Sequence, residues 1–156
     1  HGIETERLLT KLATISKRAH GPDHNLTKRV ESELQKRRER YVFLDHHNEN
    51  QLFQALRYEE DGRKCVVTGP VAKPRNVQEE KTFTVASTEL RFSRGTPVIC
   101  HGLPVSTHLN GKIADLRSWD RESECYKVHF EDKDLEPRLL KAKFLRILFE
   151  LPGEES

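Results

Sequence analysis

Apolar residues recur along the chain with two different periods, and the change falls near residue 50. Leu8, Leu12, Ile15 and Ala19 stand three and four apart, which puts them on one face of a helix over residues 3–19. Lys17 and Arg18 fall in its last turn, where cations suit the negative end of the helix dipole. Gly21 supplies a left-handed residue after the helix, and Pro22 forbids its continuation. Asp23 is then the expected N-cap of a second helix over residues 24–41, whose stripe is Leu26, Val30, Leu34 and Tyr41. So short a turn between amphipathic helices implies an antiparallel hairpin. A lone two-helix hairpin is marginal in water. Leu8, Leu12, Leu26, Val30 and Leu34 are therefore expected to be covered by the β-structure that follows.

Residues 45–51 hold two His and two Asn and no aliphatic side chain, and read as a loop. Beyond them the period falls to two. Phe53, Ala55 and Arg57, then Lys64, Val66 and Thr68, flank Asp61-Gly62, a strong hairpin signal. Residues 72–80 are polar and contain Pro74, as a long loop would. Phe83 with Val85, and Leu90 with Phe92, supply further strands. A second β unit opens with Pro97–Cys100 and continues through Gly111–Trp119, a turn at residues 120–123, and Tyr126, Val128 and Phe130. Leu139–Leu148 returns as a strand pair, or as a strand with a short helical turn. Four or five short strands in so few residues suggest a small barrel. The expected class is α+β: a helical hairpin over residues 1–44, a β-rich unit over 51–93, a small barrel over 94–150 and a frayed tail over 151–156.

Two stretches carry a resemblance. Ile15-Ser16-Lys17-Arg18-Ala19-His20-Gly21-Pro22-Asp23-His24, followed by a leucine-bearing helix, resembles tetratricopeptide repeats of the kinesin-light-chain type, which carry such a turn between helices. The match covers residues 8–40 and implies the C-terminal end of a repeat protein, since a repeat array needs about three units to bury its faces. Gly95-Thr96-Pro97-Val98-Ile99-Cys100-His101-Gly102-Leu103, with Leu109-Asn110-Gly111-Lys112-Ile113, looks like the opening of an SH3-like barrel of the KOW or Tudor type. That resemblance implies a recognition scaffold, which serves proteins, peptides or nucleic acids alike.

Charge narrows the choice. Residues 1–44 hold 10 Lys/Arg against 6 Asp/Glu, whereas residues 45–156 hold 17 against 19, within a net charge of +2. Any basic face belongs to the helical part, and the excess is below that of a dedicated nucleic-acid binder. The barrel residues 95–149 are nearly neutral, with 9 Lys/Arg and 8 Asp/Glu. Cys65, Cys100 and Cys125 are far apart and odd in number, which points to a reducing compartment: the cytoplasm, with the nucleus as alternative. No apolar run approaches the length of a membrane span.

The candidate binding residues are few. Lys36, Arg37, Arg38 and Arg40 end the second helix and would meet phosphate or an acidic partner; as plain structure they complement the helix dipole and pair internally, as Glu33 with Arg37. Trp119 and Tyr126 are candidates for a ligand groove, Trp119 beside a turn and Tyr126 favoured for the barrel core along with Phe130. No Cys-x-x-Cys pair supports a metal, and Cys100 and His101, being adjacent, face opposite sides of a strand. No Gly-x-Ser-x-Gly, His-Glu-x-x-His or phosphate-cradling loop gives the histidines a catalytic context. The sequence is read as a non-catalytic scaffold or adaptor without cofactor or metal, holding a protein partner. The alternative is a nucleic-acid-binding module that uses the barrel loops and the basic helix end.

Overall fold

The computed structural model describes residues 2–45, 51–71 and 81–151. The fold is α+β: a helical hairpin followed by antiparallel sheets. Helix α1 spans Gly2–His20 and α2 spans Asn25–Arg38. The turn between them follows the expected chemistry at Gly21, which sits at φ +85° and returns its N–H to the Lys17 carbonyl at 2.9 Å. The N-cap is His24 rather than Asp23. Its Nδ1 accepts the Leu26 N–H at 3.1 Å, and its ring stacks on His20 at 4.6 Å.

The hairpin seam differs from the expected stripe. The buried positions are Ile3, Glu6, Ala13 and Ser16 on α1 and Thr27 and Leu34 on α2. Small side chains let the two backbones approach, and the Ser16 and Thr27 hydroxyls hydrogen-bond to each other at 2.8 Å. The larger stripe is turned outward: Leu8, Leu12, Ile15 and Leu26 are 57, 42, 61 and 45% exposed. Period identifies an apolar face of a helix but not what covers it.

The second helix stops at Arg38, short of residue 41. Tyr41-Val42-Phe43-Leu44 is aromatic and β-branched, which favours a strand, and strand β1 spans Arg40–Leu44 with alternating burial. It begins the first sheet. Hairpin residues through Glu39, with Phe149, Glu150 and Leu151, form one compact unit, and Arg40–Leu148 forms another.

Within Arg40–Leu148 lie two five-stranded sheets. The first contains β1, β2 (Phe53–Glu59), β3 (Lys64–Gly69), β4 (Lys81–Ala86) and β5 (Leu90–Phe92), in the order β4-β3-β2-β1-β5. The second contains β6 (Pro97–Cys100), β7 (Ile113–Asp120), β8 (Cys125–Phe130), β9 (Arg138–Leu140) and β10 (Leu145–Ile147), in the order β10-β6-β7-β8-β9. The two orders are the same: four strands in a meander, with the fifth returning to the outer side of the first. Each sheet also has a 3-10 turn immediately before its fifth strand, at Ser87–Glu89 and Ala142–Phe144.

Register extends the match to single residues. Val42 faces Phe53 and Phe92, as Val98 faces Ala114 and Ile147. Leu44 faces Leu90, as Cys100 faces Leu145. Both second strands bulge at one step, after Ala55 opposite Val67 and after Leu116 opposite Val128. The internal repeat was not visible in the sequence reading, which left open whether the two β units were separate.

Each sheet buries apolar side chains of its own. Val42, Phe53, Cys65 and Val67 are buried in the first, with Phe53 edge-on to Phe83 at 5.7 Å. Val98, Leu109, Leu116 and Val128 are buried in the second. Residues 46–50 of the loop expected at 45–51, the whole loop expected at 72–80, and residues 152–156 of the tail expected at 151–156 lie outside the described residues; Leu151, expected to fray, is buried at 4% exposure.

Candidate functional site

The bulged register places Trp119 opposite Tyr126 on neighbouring strands β7 and β8. Their rings lie 4.7 Å apart and tilted by 60°. Phe92 of the first sheet adds a third ring, 5.3 Å from Tyr126. Trp119 is 38% exposed and stands one residue before the end of β7, beside the turn. Tyr126 is buried, as its core reading implied. Its hydroxyl accepts the Phe92 N–H at 3.1 Å, which ties the two sheets together.

The open face of Trp119 has a cation of this chain over it. The Arg91 guanidinium lies 5.7 Å from the indole centroid. Arg91 is held by the Asp45 carboxylate, which raises its pKa further above the ordinary arginine value. Ring, guanidinium and carboxylate thus form a closed stack rather than an empty aromatic cage.

The basic run does not form one patch. Lys36 pairs with Glu33 at 3.7 Å, in place of the expected pair between Glu33 and Arg37. Arg37 is exposed on the last turn of α2. Arg38 is half-buried and reaches Glu150 at 3.8 Å. Arg40 leaves the group: it is 3% exposed on β1, where its Nε donates to the Leu148 carbonyl at 2.6 Å. A strand start, not a helix end, sets its direction, so it offers nothing to a phosphate in solution.

A cavity of about 240 Å³ opens between the sheets, bordered by Tyr58, Phe92 and Leu145 and by His101, Lys143 and Arg146. Gly62 makes room for the Arg146 guanidinium at its border. A Cβ there would stand 2.4 Å from the Arg146 guanidinium, which donates instead to the Asp61 carbonyl at 2.7 Å. Burial, and next the charge of Arg146, hold His101 below the ordinary histidine pKa. Sequence reasoning passed over Lys143 and Arg146 because they stand isolated among apolar residues; only their places, Lys143 within the 3-10 turn and Arg146 on the strand after it, mark them.

The cysteines are unpaired and buried, and burial pushes Cys65 and Cys100 up to about 11. A thiol so raised is a poor nucleophile at neutral pH. Among the described residues no group of three or more His, Cys, Asp or Glu is placed to hold a metal ion, and no helix is long and apolar enough to cross a membrane. The chain matches no known family model and no curated protein.

Proposed function

We propose that this chain is a non-catalytic protein–protein interaction module, a scaffold or adaptor. The observation that carries the reading is the outward stripe of Leu8, Leu12 and Ile15 with Leu26, four large aliphatic side chains 42–61% exposed on one hairpin. Clustered apolar exposure of this kind marks surfaces that meet other proteins. The outward stripe also supports the tetratricopeptide-like reading of the hairpin, in which a neighbouring helical unit covers that face. The strand order, with a 3-10 turn before the last strand, supports an SH3-like reading of the second sheet and extends it to the first. The nucleic-acid alternative is weaker, since Lys36 and Arg38 have acidic partners and Arg40 is buried.

The test is site-specific photocrosslinking from Leu12 and, separately, from exposed Asp134 as control, in cells expressing the chain. Discrete protein adducts from Leu12 alone are expected. Equal, diffuse labelling from both sites would count against the reading, and RNA adducts would favour the alternative.

A further inference from the structure

The matched registers turn each sheet into a control for the other. The fifth-strand arginine is Arg91 in the first sheet and Arg146 in the second, facing Phe43 and Ile99 on the equivalent first strands. The residue following the first strand is Asp45 in one and His101 in the other. Each donates its backbone N–H at 2.9 Å to the last residue of the 3-10 turn, Glu89 or Phe144. The backbones agree and the charges do not. Asp45 holds Arg91 with its carboxylate, whereas an imidazole stands in that place near Arg146. Two further positions shift the same way: Lys143 replaces Thr88, and Phe144 replaces Glu89.

Around its fifth-strand arginine the second sheet therefore carries His101, Lys143 and Phe144 where the first carries Asp45, Thr88 and Glu89. Among the described residues, none of Arg146, His101 and Lys143 makes an ion pair. All three border the 240 Å³ cavity, whose apolar wall includes Tyr58, Phe92 and Leu145. A buried-edge cation without a counter-charge gains most from an anion that arrives with a ligand.

We propose that this cavity binds an acidic peptide segment of a protein partner. The carboxylate pairs with Arg146 from within the cavity, beside the His101 imidazole, and supplies the charge that Asp45 supplies to Arg91, while an adjoining apolar side chain lies on Tyr58, Phe92 and Leu145. The inference rests on the interaction-module reading and gives the partner's chemistry. A carboxylate is favoured because the first sheet supplies its internal template, and a peptide because the wall is apolar.

The experiment titrates the full, nitrogen-15-labelled chain and follows amide shifts by NMR. The probes are an acetylated and amidated leucine–aspartate–leucine tripeptide, its asparagine counterpart, inorganic phosphate and a short single-stranded RNA. The aspartyl peptide should shift His101, Lys143 and Arg146 saturably, and the asparagine peptide should bind about tenfold more weakly or worse. Arg146→Gln should weaken the aspartyl peptide by a similar factor. His101→Asp, which recreates the Asp45–Arg91 pairing inside the chain, should abolish binding and raise Tm. If Arg146→Gln does not fold, His101→Asp carries the test. Equal binding of the two peptides, binding unchanged in His101→Asp, or no response at the cavity overturns the proposal. Shifts centred on Trp119 would overturn it and leave the interaction-module reading standing. Preference for RNA would overturn both, and preference for phosphate would overturn the carboxylate assignment.

Discussion

The hydroxyl of Tyr58 accepts the backbone N–H of Ile147 at 2.9 Å, so a tyrosine of the first sheet closes an edge strand of the second. The favour is returned by Tyr126, which accepts the Phe92 N–H at 3.1 Å, and Phe92 and Ile147 are equivalent third residues of the two fifth strands. Both strands are sheet edges, where an unpaired N–H invites pairing with another chain. Tyr58→Phe and Tyr126→Phe should each cost about 1–2 kcal/mol in urea unfolding, because each strands a backbone donor. A cost near zero for either would mean that water replaces the hydroxyl.

Alkali should unfold the chain through the same groups. Burial pushes Tyr58 up to about 12 from an ordinary 10, and Cys65 and Cys100 to about 11 from an ordinary 9. For such groups the unfolded chain loses its protons first, so their contribution is complete below the unfolded pKa and is lost as pH rises. Stability should hold to about pH 9 and fall between about 9 and 12. Tyr58→Phe should flatten the upper part of that decline, as measured by Tm against pH.

His101 should report the charge around the cavity. Its pKa is depressed, first by burial and then by Arg146, and Lys143 also borders that cavity. Because the folded value lies below the unfolded one, this histidine's contribution is present above about pH 6.5 and is lost as pH falls through the folded value. Arg146→Gln should raise the His101 pKa in a proton NMR titration of its ring. No movement would show that burial alone depresses it.

Gly62→Ala should displace Arg146, since the new methyl would occupy the guanidinium's place, and φ is +84° at that residue. A loss of about 1 kcal/mol is expected from the left-handed backbone alone. The distinguishing sign is a shift of the Arg146 side-chain resonances, absent if the turn merely rearranges.

The hairpin gives a contrasting pair. Leu12→Gln with Ile15→Gln should change stability by less than about 0.5 kcal/mol, because both side chains are exposed. Leu34→Ala, at a 6% exposed position, should cost about 2 kcal/mol or more. Equal costs would mean that the outward stripe is covered within the chain.

The β elements were legible where alternation and turn chemistry agreed, as at Asp61-Gly62 between β2 and β3 and along Tyr126, Val128 and Phe130. The interhelical seam was not, because Ala13, Ser16 and Thr27 carry little hydrophobic signal while the louder Leu8, Leu12 and Ile15 face outward. Trp119 was placed correctly by the turn that follows it, but nothing local in sequence shows Arg91 lying over its ring. Arg40 was misdirected because a run of cations looks continuous across a helix end. The internal repeat was hidden by loops of unequal length and by sparse identity, chiefly Val42 with Val98, Val67 with Val128, and Leu90-Arg91 with Leu145-Arg146.

Two sheets that keep one register while their connecting loops differ can carry different side chains at equivalent positions on the same frame. Once the first sheet retains the Asp45–Arg91 clasp, the second can alter the same position without losing the ability to fold. Change would then collect at His101, Lys143 and the loops while the paired valines stay fixed. On the acidic-peptide proposal, the ion pair that clasps one sheet and the cavity that takes a ligand in the other would occupy equivalent places in one strand order.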